Sequence, residues 1–319
     1  MKKYFATFAI LAMCVGFVYA AAPKTNAAKT KSTVKEIPVT VIVMDDDATG
    51  GVDSALNSGL ERTFDAKLNV TTINRSAALN DPKYQGLNLD FMPLYLIEKN
   101  DVVKTKIEEF IKNGQLRPGQ IPEHNGQLVF EHQTRNGVYA NKALRPNELD
   151  LFVMSQCPYG VRAENQIIDL LKLDRLPKDL KINVRYIASE RNGEINSLHG
   201  SAEWEEDVRQ IIIREKYPKK FWKYLEIRNK DYRSSLWDVA AEEAGINPRI
   251  FRKYWKFGLE KLKEDMKITE EYNVSGSPTV IWQGRTVTDL GSLGNIRGLE
   301  GFKQNYSGSA ANAAPQGQC

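Results

Sequence analysis

Two short runs of apolar residues, Val41-Ile42-Val43-Met44 and Leu151-Phe152-Val153-Met154, open two stretches of chain that follow one pattern. A brief apolar run bounded by polar residues reads as a buried strand. After each comes a segment with apolar positions at helical spacing, 52–64 in the first stretch and 161–172 in the second. A further strand-like run follows each, 68–73 and 182–187. Strand, helix, strand in that order is the signature of a parallel βαβ unit. The register that superposes the two runs also lays Asp47-Ala48-Thr49-Gly50 over Cys157-Pro158-Tyr159-Gly160. The pattern therefore predicts an α/β fold built from a weak internal repeat.

Each stretch next reaches a proline in front of another apolar strand, Met92-Pro93-Leu94-Tyr95-Leu96-Ile97 and Ser277-Pro278-Thr279-Val280-Ile281-Trp282. The start of a strand is one of the few places where a sheet accepts proline. In the first half a helix follows, with Val103, Ile107, Phe110 and Ile111 on one face and Gly114 at its end. Asn125-Gly126 and Asn136-Gly137 then signal turns, so a hairpin is expected before the second half begins at Leu149. The second half is stretched, with Pro278 standing 121 positions after Cys157. Most of the surplus, 201–272, is helical in pattern: Trp204, Val208, Ile211 and Ile212 share a stripe, as do Phe221, Tyr224 and Leu225, and Asn247-Pro248 marks a new helix start. These apolar positions read as the core of a helical insertion.

The ends read differently. Lys2 and Lys3, an apolar run over 4–19 and Val18-Tyr19-Ala20 have the form of a signal peptide, 1–20, cut after Ala20. Residues 21–35 read as a flexible leader and 307–319, composed of Ser, Gly, Ala, Asn, Pro and Gln before a final Cys319, as a disordered tail. The domains expected between them are 36–148 and 149–306. Cleavage would leave 42 basic against 40 acidic residues. So balanced a chain has no electrostatic claim on nucleic acid or a membrane surface. No other stretch is long and apolar enough to span a bilayer, so the mature chain is expected outside the cytoplasm, periplasmic or secreted.

Of three cysteines, Cys14 would leave with the signal, and Cys157 and Cys319 remain. Two cysteines make at most one bridge, which excludes a disulfide-stapled scaffold. Cys157 stands directly after a buried strand and directly before a helix that Pro158 would open, a favoured first residue. At such a terminus the unpaired amides and the dipole stabilise a thiolate, whereas a cysteine in mid-strand would be inert packing. Asp45, Asp46 and Asp47 are adjacent acids that cannot easily converge on one ion, and they read as a solvated loop. His124 and His132 fall in the expected hairpin, and His199 opens the insertion with no partner evident from sequence. Phosphate loops and zinc spacings are absent, so neither cofactor nor metal is called for.

Met154-Ser155-Gln156-Cys157-Pro158-Tyr159-Gly160, followed downstream by Gly276-Ser277-Pro278-Thr279, resembles the active-site strand, redox motif and proline loop of thioredoxin-fold thiol-disulfide oxidoreductases. The helical insertion resembles the DsbA-type branch, and His199-Gly200-Ser201-Ala202-Glu203 resembles the His-Gly-x-x-Glu signature of gamma-interferon-inducible lysosomal thiol reductase. The resemblance spans 149–306. It implies tandem thioredoxin-like domains, the first without the thiol, with Cys157 as attacking thiolate. Pro158, Tyr159, Gly160, Ser277, Pro278 and Thr279 would line the substrate loop, with the Ser277-Pro278 bond cis.

This chain departs from the family where a second motif cysteine would stand, because that place holds Gly160; Ser197 and Trp204 stand where the reductase signature has cysteines. Monothiol exchange on protein or peptide disulfides remains open, of reductase or isomerase type. The mixed disulfide would be released by the substrate's own thiol, by a small external thiol or by Cys319. A redox-silent binding or chaperone module is the rival reading, and a Cys157–Cys319 sensor a third. The first half reads as a substrate-holding or dimer-forming module, so a homodimer is a possible assembly, with a redox partner still unknown.

Overall fold

The computed structural model describes residues 35–45, 51–131 and 136–303. The expected signal peptide, most of the leader, Asp46, Asp47, His132 and the tail with Cys319 lie outside them. The chain divides into two compact units: the first takes the residues up to Ala143 together with Arg285–Val287, and the second takes Leu144–Gly284 and the residues from Thr288 on. The return of Arg285–Val287 to the first unit departs from the simple division at 148/149.

In the first unit β1 (Glu36–Val43) leads into α1 (Ser54–Phe64) and β2 (Lys67–Asn74). The Asp53 carboxylate caps α1 by accepting the amides of Ala55 and Leu56, and Asp65 ends it in the left-handed conformation. A short helix α2 (Arg75–Asn80), β3 (Phe91–Met92) and β4 (Leu94–Glu98) follow. β1 pairs parallel with β2 and antiparallel with β4. Leu94 to Ile97 are all fully buried because β4 is central and covered on both faces: Tyr95 and Ile97 join one apolar cluster, Leu94 and Leu96 the other. Asn100 caps α3 (Asp101–Lys112), and Gly114 follows it at φ +71°. Asn125 and Gly126, both at positive φ, turn β5 (Glu123–His124) into β6 (Gln127–Phe130), so that hairpin is as expected.

The Asn136-Gly137 turn signal misleads. Gly137 opens β7 (Gly137–Tyr139), and a Cβ there would strike the Phe91 ring, so glycine is required by close packing within a strand. The Met92–Pro93 peptide is cis.

The second unit repeats the order. β8 (Glu148–Val153), α4 (Pro158–Lys172) and β9 (Lys181–Tyr186) form a parallel βαβ unit. A two-strand ribbon, β10 (Ser189–Arg191) and β11 (Glu194–Asn196), precedes the insertion. That insertion is four helices, α5 (Ser201–Lys216), α6 (Pro218–Arg228), α7 (Trp237–Glu243) and α8 (Arg249–Glu271). After the cis Ser277–Pro278 peptide, β12 (Thr279–Trp282) pairs antiparallel with β8. β13 (Thr286–Thr288), whose first two residues fall in the first unit, and the short α9 (Leu290–Leu293) follow, and a 3-10 turn at Glu300–Lys303 ends the described residues. A parallel pair with an antiparallel strand on the far side of the first strand is the thioredoxin-like arrangement.

Val208, Ile211, Ile212, Tyr224, Leu225 and Leu262 from the insertion form one core with Leu149, Leu151 and Val153 of β8 and Ile167 of α4. Each such side chain contributes about 1.5–3 kcal/mol on leaving water. The stripe over 204–212 thus packs as the sequence implies. Asp265 of α8 joins that helix to β9, accepting from Arg185 (3.4 Å), Arg214 (3.0 Å) and the Tyr186 amide (3.3 Å). Buried Asp150 in β8 receives Arg145 and Arg185, so neither inward charge is left without a counterpart.

Candidate active site

β8 ends at Val153, and four residues later Cys157 is the N-cap of α4 with Pro158 in its first turn, as the sequence implies. The connecting loop is held from three directions. The Met154 amide donates to Ser277 Oγ at 3.0 Å. The Ser155 amide donates to Asp207 Oδ1 and the Gln156 amide to Glu203 Oε1, both at 3.2 Å, while Ser155 Oγ donates to the Glu203 carbonyl at 3.1 Å. The Cys157 amide closes a turn on the Met154 carbonyl at 3.0 Å.

Cys157 is fully buried, and its Sγ lies 3.4 Å from the Ser277 carbonyl oxygen. The sulfur is disulfide-bonded, so it carries no proton and this approach is a van der Waals contact. Its partner sulfur lies outside the described residues, as do both other cysteines, Cys14 and Cys319. Burial here does not make Cys157 a core residue of the inert kind. It sits at a helix terminus against the Ser277–Pro278 turn.

Among the substrate-loop residues, Pro158, Tyr159 and Gly160 occupy the first turn of α4, while Ser277, Pro278 and Thr279 carry the chain into β12. Thr279 Oγ1 donates to the Gly276 carbonyl at 2.8 Å. The structure brings Cys157, Gly160 and Ser277 into direct proximity.

The His-Gly-x-x-Glu sequence finds a physical explanation at the start of α5. Gly200 adopts φ +95°, ψ −172°, a region open essentially to glycine alone. Glu203, in the first turn of α5 and fully buried, reaches back: Oε2 accepts the His199 amide (3.1 Å), and Oε1 pairs with His199 Nδ1 (2.6 Å) as well as with Gln156. His199 therefore has a partner after all, four residues on in the same motif. One carboxyl group thus ties the insertion's first helix to the loop that presents Cys157.

Sequence reasoning named Glu203 only as part of a signature, without its grip on the loop, and missed Asp207. Acids four apart on the stripe that also carries Val208, Ile211 and Ile212 were the available signal. Burial pushes the Asp207 carboxyl well above the usual carboxylate range, with the nearby Glu203 and Glu206 charges adding to it, and Asp207 Oδ2 has no hydrogen-bond partner. Burial likewise raises Glu164 in α4 to about 7, opposed by the Asn229 amide at 2.9 Å and assisted by Glu206. The described residues contain no cluster of His, Cys, Asp or Glu able to hold a metal ion. Asp45 instead accepts from Ser76.

No protein-family model matches the chain, and no curated protein matches it. Among solved structures it is similar to oxidised BdbD from Bacillus subtilis, at 12% identity and TM-score 0.37 over 44% of this chain and 78% of that one. SrgA from Salmonella enterica serovar Typhimurium gives 16% and 0.36 over 53% and 92%. The thiol-disulfide exchange protein alpha-DsbA2 from Wolbachia pipientis gives 14% and 0.36 over 62% and 97%. Among the described residues no helix is long and apolar enough to cross a membrane.

Proposed function

We propose that this chain is an exported thiol-disulfide exchange protein acting on protein or peptide substrates through Cys157. The observation that carries the reading is a disulfide-bonded cysteine at the N-terminus of α4, seated against the carbonyl of the residue before a cis-proline. With the signal peptide removed, Cys319 is the other cysteine of the sequence, and the reading takes it as the partner.

In the oxidised form a substrate thiolate attacks Cys157 Sγ in line with its S–S bond. That bond breaks, its electron pair leaves on the Cys319 sulfur, which takes up a proton, and a substrate–Cys157 disulfide forms. A second substrate thiolate then attacks the substrate sulfur of this mixed disulfide and expels Cys157 as thiolate. The substrate ends with a disulfide and the protein with two reduced sulfurs. The opposite direction begins with the Cys157 thiolate attacking a substrate disulfide, and Cys319, an external thiol or the substrate's own thiol resolves the product. The opening turn of α4 favours the thiolate as leaving group in one direction and nucleophile in the other.

Intact mass of the exported chain with and without reductant, combined with disulfide-exchange assays of Cys157→Ser and Cys319→Ser, tests this. A gain of two hydrogens on reduction and loss of exchange in Cys157→Ser are expected. Full exchange activity in Cys157→Ser defeats the proposal and leaves the binding or chaperone module as the reading.

A further inference from the structure

Position 160 is where a two-cysteine exchange motif would carry its second sulfur. Gly160 lies in the first turn of α4 and is not among the residues with positive φ. Conformational freedom therefore gives no reason for glycine there, and glycine weakens a helix relative to alanine. The reason is steric. A Cβ on Gly160 would come within 2.5 Å of Ser277 Oγ, 3.3 Å of the Met154 carbonyl oxygen and 3.4 Å of Val153 Cβ.

Ser277 is not free to turn aside. It is fully buried, and its Oγ accepts the Met154 amide at 3.0 Å. Rotating the hydroxyl away would leave a buried N–H without an acceptor. Of the other two neighbours, the Met154 carbonyl oxygen is only slightly tight and Val153 Cβ would make an ordinary contact, so the Ser277 hydroxyl is the obstacle.

We propose that Ser277 confines exchange at this site to a single sulfur. Its hydroxyl fills the volume that a cysteine at 160 would occupy, so the sulfur that resolves a mixed disulfide on Cys157 must come from outside the motif. The consequence for exchange rests on the function proposed above, but the packing claim is tested without any activity.

Two sets of variants decide it. With Cys14→Ser and Cys319→Ser as background, Gly160→Cys is expected to take up glutathione from oxidised glutathione and keep it, as read by intact mass. Gly160→Cys with Ser277→Ala is expected instead to lose two hydrogens and carry no glutathione, having closed a bridge between positions 157 and 160. Closure of that bridge to the same extent in Gly160→Cys alone overturns the proposal.

Because the cysteine variant could fail to fold, Gly160→Ala, Ser277→Ala and their combination are melted in parallel. Gly160→Ala is expected to lower Tm by roughly 4–8 °C, and the double variant to fall by clearly less than the two single losses together. Additive losses overturn the proposal. Exchange retained by Cys157→Ser would refute the function while leaving these outcomes to judge the packing.

Discussion

Replacing Glu164 by glutamine isolates the effect of one buried proton. Glu164 is fully enclosed in α4; Oε2 accepts from Asn229 and Oε1 has no partner. Burial, with the Glu206 charge, raises its carboxyl from the unfolded value of 4.5 to about 7. Since the folded chain holds the proton more tightly, the stability linked to it is complete below pH 4.5 and drains away as pH rises through 7. A shift of about 2.5 units at 1.36 kcal/mol per unit gives a loss of about 3 kcal/mol across that window.

Glutamine mimics the protonated acid, because its carbonyl can still accept from Asn229 and its amide stands where the acid hydroxyl stood. Glu164→Gln should therefore match the wild type near pH 4.5 and exceed it by up to about 3 kcal/mol at pH 8. Urea unfolding of both proteins at pH 4.5, 5.5, 6.5 and 8 measures the difference directly. A difference that stays constant over that range would mean that Glu164 titrates alike in the folded and unfolded chain, and the reasoning would be wrong.

The signature at the start of α5 yields two further expectations. Gly200→Ala should cost about 1–3 kcal/mol in urea unfolding, entirely from backbone strain, since nothing lies within 4 Å of the added Cβ; an unchanged midpoint would contradict the required conformation. Glu203→Gln leaves one carbonyl for donors that now share two carboxylate oxygens, the amides of Gln156 and His199 and the His199 ring. A loss of about 1–3 kcal/mol at neutral pH is expected from the same measurement, and no loss would show that the clamp is dispensable.

The fold was legible where a period or a punctuation mark carried it. The runs at 41–44 and 151–154 are strand cores, Pro158 opens a helix, and Asn125-Gly126 is a turn because both residues must take positive φ. Asn136-Gly137 has the same spelling and a different cause, since the Phe91 ring that forbids a side chain at 137 is 46 positions away in sequence. The site divides in the same manner. The place of Cys157 at the head of α4 was visible because cysteine and proline are adjacent a few residues after the strand. Glu203 was visible only as the last letter of a signature and Asp207 not at all, because an acid on an apolar helical stripe reads as a surface residue until the helix is seen pressed against the loop whose amides it accepts. Gly160 was read as a missing cysteine. Its packing against Ser277 makes the glycine a positive requirement of the loop it faces.

The hydrogen-bond inventory of that loop narrows the electrostatic argument for Cys157. The amides of Met154, Ser155, Gln156 and Cys157 go to Ser277, Asp207, Glu203 and the Met154 carbonyl, and Pro158 has no amide hydrogen. The Val161 amide bonds the Cys157 carbonyl at 3.0 Å. Within the first turn, the amides of Tyr159 and Gly160 remain to favour a thiolate, together with the positive end of the helix. The carboxyls gripping the loop work against it, since negative charge near a sulfur raises its pKa. Burial pushes the Asp207 carboxyl well above the usual carboxylate range, which lessens that opposition. Asp207 still accepts the Ser155 amide on Oδ1, so the loop is fixed in place by a group whose burial disfavours the very charge that would oppose a thiolate.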